Sequence, residues 1–271
     1  MPRPVLLFGA GGNLGSALHR RLTSEAASVT ALPWSMLKDS PPLPLAGVEA
    51  CDIVFANGLT DSGAPPEALD EANHAGPCRL VEATMGNPAI RYLTIGTVME
   101  HAERMEATNA YVASKTRLAQ RLRAMLPPQR HLHVRLHTLY GGRPAPHMFL
   151  GQMIAALATG QSFRMSAGTQ WREYHHVDDI AAALAHLLAM EWSFPAGLDL
   201  SSGDAIRLRE LAQAAFARFA ILDRLQIGAL LHPEAEENRA SLPRSPEALL
   251  GGSRKALDGV LDWIGSVLKA S

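Results

Sequence analysis

In the stretch "TNAYVASKTRLA", residues 108–119, Tyr111 and Lys115 stand four residues apart. That spacing stacks two side chains on one face of a helix. A free phenol titrates near pH ~10, too high for proton transfer at neutral pH. An ammonium one turn away stabilises the phenolate and lowers that value, which makes the pair a general acid/base. Such chemistry calls for a third group, a hydroxyl at the end of a neighbouring strand that holds the substrate oxygen. Thr97, closing "YLTIGT", is placed for that role, and Thr94 is the alternative.

A second constellation lies near the start. "FGAGGNLGSAL" sets Gly9, Gly12 and Gly15 three residues apart, between the apolar run "PVLLF" and a helical pattern from Asn13 to about Ser24. Residues without Cβ permit a tight turn and close approach, while the helix N-terminus, with Asn13 and Leu14, offers amides and dipole to a pyrophosphate. The expected ligand is a dinucleotide that can hold Lys115 against its ribose, which sets Tyr111 against a nicotinamide. A carboxylate for the ribose hydroxyls usually follows the second strand, but Pro33 stands there. Trp34 is placed for the adenine, and Ser35 with Lys38 for a 2′-phosphate, so NAD and NADP both stay open. Asn57 and Gly58, after the third strand, and His137 complete the expected cofactor contacts.

The elements that must position these groups alternate. Strands are expected at 4–8, 29–32, 51–57, 90–97 and 131–142, with helices at 13–24, 66–85 and from Tyr111 to Met125, where Pro127-Pro128 stops the chain. Alternation of this kind implies right-handed crossovers and a doubly wound parallel α/β sheet. Beyond about 141 the character changes: helices at 148–159 and 178–190, short extended pieces around 162–174, "GLDLSS" returning to the sheet, and further helices in 204–268. The reading is a dinucleotide domain over 1–142, rejoined by 175–202, and a mixed substrate-binding region over 143–174 and 203–271. "SPPLPL" (40–45) reads as a loop.

Twenty-five basic against 26 acidic side chains leave no basic stripe for nucleic acid or an anionic membrane. Two unclustered cysteines suit a reducing compartment, and no stretch reaches membrane-span length, so a cytoplasmic protein is expected. Eleven histidines invite a metal reading, but neither His131/His133/His137 nor His175-His176 comes with further ligands, and structural or solvent roles are expected.

Taken in order, Gly9/Gly12/Gly15, Thr97, Tyr111 and Lys115 resemble the signature of the extended short-chain dehydrogenase/reductases. The closer resemblance is to the NAD-dependent epimerase/dehydratase branch, which acts on nucleotide sugars. "DEANHAGPCRLVEA" (70–83) with Asn73, "VRLHTLYGG" (134–142) and "GTQWREYHHVDDIAAAL" (168–184) agree with further family segments. The resemblance implies a Rossmann-type fold, a homodimer packed through the helices around 66–85 and 108–125, and a diphosphate contact for Arg172. It also implies roles: Tyr111 as acid/base, Lys115 tuning it, and Thr97 polarising a carbonyl. The family's 4,6-dehydratases carry Asp-Glu directly after the threonine; here Val98 and Met99 follow, which argues against dehydration. Glu100, His101 and His137 are each candidates to line a sugar pocket, with the surface the expected place for Glu100 and His101. The expected reaction is reduction of a 4-keto-6-deoxy sugar nucleotide. A 4-epimerase that retains its cofactor is the alternative, and a non-catalytic dinucleotide sensor on the same fold the third reading.

Overall fold

Short all-apolar runs become strands buried on both faces, and that rule accounts for most of the sheet. The computed structural model describes residues 3–39, 50–102, 108–231, 244–250 and 252–270; "SPPLPL" lies outside them. In chain order the strands are β1 (Val5–Phe8), β2 (Val29–Leu32), β3 (Cys51–Phe55), β4 (Ile90–Thr97), β5 (His131–Leu136) and β6 (Thr138–Tyr140). They continue with β7 (Phe163–Met165), β8 (Trp171–His176), β9 (Leu198–Leu200), β10 (Ala205–Arg207) and β11 (Leu225–Ile227). The helices are α1 (Asn13–Ser24), α2 (Met36–Asp39), α3 (Pro66–Asp70), α4 (Gly76–Thr84) and α5 (Ala110–Met125). Beyond these come α6 (Phe149–Thr159), α7 (Val177–Leu188), α8 (Leu208–Arg218), α9 (Glu247–Leu250) and α10 (Ala256–Ala270).

Two compact units divide the chain, one of Met1–Leu136 with Ile180–Leu200 and one of His137–Asp179 with Ser201–Ser271. The first holds a six-stranded parallel sheet in the order β2-β1-β3-β4-β5-β9. The chain leaves β1 toward β2 on one side and resumes at β3 on the other. That reversal opens a crevice at the C-terminal ends of β1 and β3, where this fold class takes its ligand. Phe8 and Phe55 stack at 5.6 Å beneath it. Ile53, Tyr92, Val81, Leu118 and Leu122 complete a core that joins α4 and α5 to the sheet. Lower in the sheet, buried Asp52 takes both prongs of the Arg91 guanidinium (2.8 and 2.6 Å), and Arg91 also donates to the Leu188 and Met190 carbonyls.

The helix expected over 66–85 is interrupted by a π turn at Glu71–Ala75. Pro77 explains the break: it has no N–H for the carbonyl of Asn73, and its ring crowds that carbonyl, so the ladder widens one turn earlier. The strand expected over 131–142 divides at His137, and β6 pairs with β8 in the second unit. That unit also contains the three-stranded order β10-β8-β6 and the pair β11-β7. Its core gathers Tyr140, Met153, Phe163, Leu211, Phe216, Val260 and Ile264. Among the described residues no helix is long and apolar enough to cross a membrane.

Candidate active site

Gly9 turns the chain with φ +90°, and a Cβ there would fall 2.4 Å from the backbone nitrogen of Asn57. A Cβ on Gly15 would lie 2.0 Å from the carbonyl oxygen of Gly9, so the first turn of α1 must carry glycine to seat against the loop. Gly12 caps α1 without any side-chain hydrogen bond, and a Cβ on Gly11 would meet nothing within 4 Å. The result is a closely packed turn below an open helix N-terminus beginning at Asn13 and Leu14, which suits a pyrophosphate. Across the crevice Asn57 donates to the Ala72 carbonyl (3.1 Å), while its buried Oδ1 has no partner among the described residues. Trp34 is exposed with the Lys38 ammonium 4.5 Å over its ring, beside exposed Ser35.

Asn109 starts α5 by accepting the N–H groups of Tyr111 (3.1 Å) and Val112 (3.2 Å) on its side chain. This fixes Tyr111 in the first turn and Lys115 one turn on, as the spacing predicts. Tyr111 and Met99 both pack against Ala102 and Val112. Lys115 is buried, and a Cβ on Gly58 would come within 2.9 Å of both its Nζ and Asn73 Oδ1. Asn73 bridges the Leu59 backbone, through its N–H (3.0 Å) and carbonyl (2.9 Å), to the Ser114 hydroxyl (3.1 Å). Gly58 and the π turn thus shape the floor on which the ammonium rests.

Burial raises the Tyr111 pKa above the ordinary value, and the charge of Glu100 raises it further. Burial lowers the Lys115 ammonium to about 8, against a smaller raising influence from Glu100.

Thr97 ends β4 and accepts the Met99 N–H on its hydroxyl (3.3 Å), while its own N–H donates to Glu100 Oε1 (2.7 Å). Together these cap a single turn of 3₁₀ helix, Val98–His101. Thr94, the alternative hydroxyl, is fully buried between His131 (3.0 Å) and His133 (2.8 Å). Glu100, expected at the surface, is buried: its Oε2 pairs with His133 Nε2 at 2.9 Å. Gly96 leaves the room for this, since a Cβ there would lie 2.2 Å from His133 Nε2 and 2.3 Å from Glu100 Oε1. Burial works to raise the Glu100 carboxyl, but the bond from His133 and the Thr97 N–H outweigh it and hold it below the ordinary value. His101 is more open and bonds Asp199 at 2.9 Å.

Two predicted residues belong to the second unit. His137 faces buried Glu173 at 3.5 Å, and half-buried Arg172 donates to the Trp171 carbonyl at 3.0 Å. Sequence reasoning did not find the Glu100–His133–Thr94–His131 set. The signal was available in the pairing of adjacent strands, which sets Thr94 beside His133 and Tyr92 beside His131.

Residues 5–197 match the model of the NAD-dependent epimerase/dehydratase family. The chain belongs to that family. Among solved structures similar to this family member is MoeE5 in complex with UDP-glucose and NAD, at 19% identity and TM-score 0.76, over 98% of this chain and 99% of that one. Another is a UDP-N-acetylglucosamine 4-epimerase from Methanobrevibacter ruminantium M1 in complex with UDP-N-acetylmuramic acid, at 15% identity and TM-score 0.78, over 99% and 97%. A dTDP-glucose 4,6-dehydratase from Bacillus anthracis in complex with NAD is similar at 13% identity and TM-score 0.74, over 97% of each chain. At these identities the likeness is one of fold, a Rossmann-type α/β sheet. The family's dinucleotide fits the open glycine turn of this member, with Asn57 Oδ1 an acceptor unsatisfied among the described residues.

Proposed function

We propose that the protein is an NAD(P)-dependent reductase of a nucleotide-activated sugar, acting on a 4-keto-6-deoxy intermediate. The observation that carries this reading is geometric: Asn109 caps α5 so that Tyr111 and Lys115 stand one turn apart, and Thr97 closes β4 ahead of them. Reduction of a ketone needs a proton donor of this kind. The bound nicotinamide supplies the hydride.

Gly9, Gly12, Asn13, Leu14 and Gly15 hold the pyrophosphate, with Trp34 and Ser35 toward the adenosine and Asn57, Gly58 and His137 completing the contacts. Tyr111 gives its proton to the oxygen that was the carbonyl, and Thr97 donates its hydroxyl hydrogen to the same oxygen. Lys115, with its pKa drawn down to about 8, donates to the ribose and stabilises the phenolate once it forms. Arg172 is assigned to the diphosphate because a guanidinium binds it in two-pronged fashion.

The test is to mix the protein with 4-keto sugar nucleotides and either reduced nicotinamide. Loss of nicotinamide absorbance in step with sugar consumed supports reduction, whereas sugar turnover without net loss makes the protein a 4-epimerase. We further propose a homodimer through α3, α4 and α5; a monomer by light scattering at micromolar concentration contradicts it.

A further inference from the structure

The last turn of α5, β5 and the loop before β9 enclose a cavity of about 170 Å³ within the first unit. The strands of this sheet run parallel, so the starts of β5 and β9 lie at the edge opposite the glycine crevice. The loop wall is held in place. Gly197 donates its N–H to the Phe194 carbonyl (2.9 Å), and Arg135 Nη1 donates to the Ala196 carbonyl (3.0 Å). A Cβ on Gly197 would fall 2.8 Å from the His133 carbonyl oxygen, so glycine lets the loop lie close on β5. Leu126, Pro128 and Phe194 give the cavity apolar walls.

Two polar groups in the lining have no partner among the described residues. One is the guanidinium of exposed Arg123. Burial and the charge of Arg135 weigh against its cation, with Glu100 opposing them. The other is Nδ1 of His131, on a ring only 4% exposed. The Nε2 of that ring is taken by Thr94 Oγ1 at 3.0 Å. What Nδ1 offers follows from its neighbours. An ionised Glu100 only accepts, so His133 carries its proton on Nε2 (2.9 Å) and accepts the Thr94 hydroxyl on Nδ1 (2.8 Å). The Thr94 oxygen then accepts from His131 Nε2–H, which leaves His131 Nδ1 a lone pair. Burial, with His133 and Arg123 nearby, keeps the ring neutral and its pKa lowered to about 3. A buried acceptor costs free energy until a donor meets it.

We propose that this cavity binds a small hydroxycarboxylate, with its carboxylate on Arg123, its hydroxyl donated to His131 Nδ1 and its carbons against Leu126, Pro128 and Phe194. Each feature selects. A guanidinium takes a carboxylate in two-pronged fashion. A lone pair requires a donor, so a plain carboxylate leaves Nδ1 unmet. A cavity of about 150 Å³ takes a molecule the size of benzene, so a nucleotide is too large. The site does not depend on the reaction at Tyr111.

Histidine ¹⁵N spectra test the site, with 3-hydroxybutyrate, butyrate and inorganic phosphate as probes. In the free protein His131 and His133 should both be Nε2–H tautomers; a proton on His131 Nδ1 removes the acceptor and overturns the proposal. Added 3-hydroxybutyrate should move the His131 Nδ1 resonance and saturate with a dissociation constant of about 1 mM, the scale for so few heavy atoms. Butyrate should bind about tenfold more weakly for want of the hydroxyl. Arg123→Met, a change at an exposed position, should weaken 3-hydroxybutyrate by about tenfold as well. Equal affinities for the two acids, or for wild type and Arg123→Met, overturn the assignment. Phosphate moving the same resonance with higher affinity makes the cavity a general anion site and overturns the ligand class. Should no probe move His131, the cavity holds water only and the proposal falls.

Discussion

Each unit buries one glutamate against histidine, and the two are used differently. Glu173, in the second unit, is saturated: Oε1 accepts the Ser201 hydroxyl (2.7 Å), and Oε2 accepts the Ser202 N–H (2.8 Å), the Ser202 hydroxyl (3.1 Å) and the Gly203 N–H (3.3 Å). His175 approaches at 3.2 Å. Burial alone would raise this carboxyl, but the bond from His175, the charge of His137 and the serine donors bring it to about 2. Glu100 has one backbone donor and one histidine, and that histidine leads onward. A carboxylate with all its acceptor sites filled locks chain segments together. Among the described residues Glu100 has fewer donors, and its histidine partner ties the end of β4 to β5.

The widest effect should come from Tyr111→Phe, which removes the group the first unit holds in readiness. Turnover should fall by about 10²–10⁴-fold with melting unchanged, and steady-state rates at wild-type level end the catalytic assignment. Glu173→Gln should do the reverse, sparing turnover per folded molecule while destabilising the fold. The Glu173 pKa is depressed on folding, so its contribution is fully present above about pH 4.5 and is lost as pH falls toward 2. That contribution is about 3 kcal/mol. Denaturation curves of the variant should be displaced by that much at neutral pH and flatter between those limits; an unchanged acid limb would show that Glu173 does not lock the fold.

Gly58→Ala is a smaller change, driving a methyl against Lys115 Nζ and Asn73 Oδ1. About tenfold should be lost from kcat/KM with little loss of stability, as roughly 1.4 kcal/mol of misplacement predicts. The smallest effect is expected for exposed Lys38→Ala: about fivefold weaker binding of NADPH with NADH unaffected, by titration calorimetry. Equal losses for the two cofactors would place Lys38 away from the 2′-phosphate.

Legibility in the sequence followed the range of the interactions. The glycine turn, the buried strands and the Tyr111–Lys115 spacing are local, and the 110–125 helix begins and ends as its cap and prolines dictate. Unit boundaries were harder to see, because "HLHVRLHTLYGG" is continuous in character while β5 and β6 join different sheets. The charge environment of Tyr111 was not legible at all. Reading it requires that Glu100 turn inward to cap β4, which depends on Gly96 leaving space and on His133 from a strand thirty-odd positions on. Histidines in alternation suggest only a shared face; what they touch is decided by strand register.

The π turn at Glu71–Ala75 bears on how such a helix tolerates change. A π turn holds one residue more than the α turn it replaces, and a single residue is worth about 100° of rotation. Removing one position between 71 and 75 would knit α3 and α4 into one regular rod and swing the Asn73 amide off the Leu59 backbone and the Ser114 hydroxyl. The irregularity acts as an indexing step: it lets the two flanking halves keep their apolar stripes on the core while one amide is aimed at the lysine floor. Insertions and deletions there should therefore be far less tolerated than substitutions at the half-buried positions 71, 74 and 75.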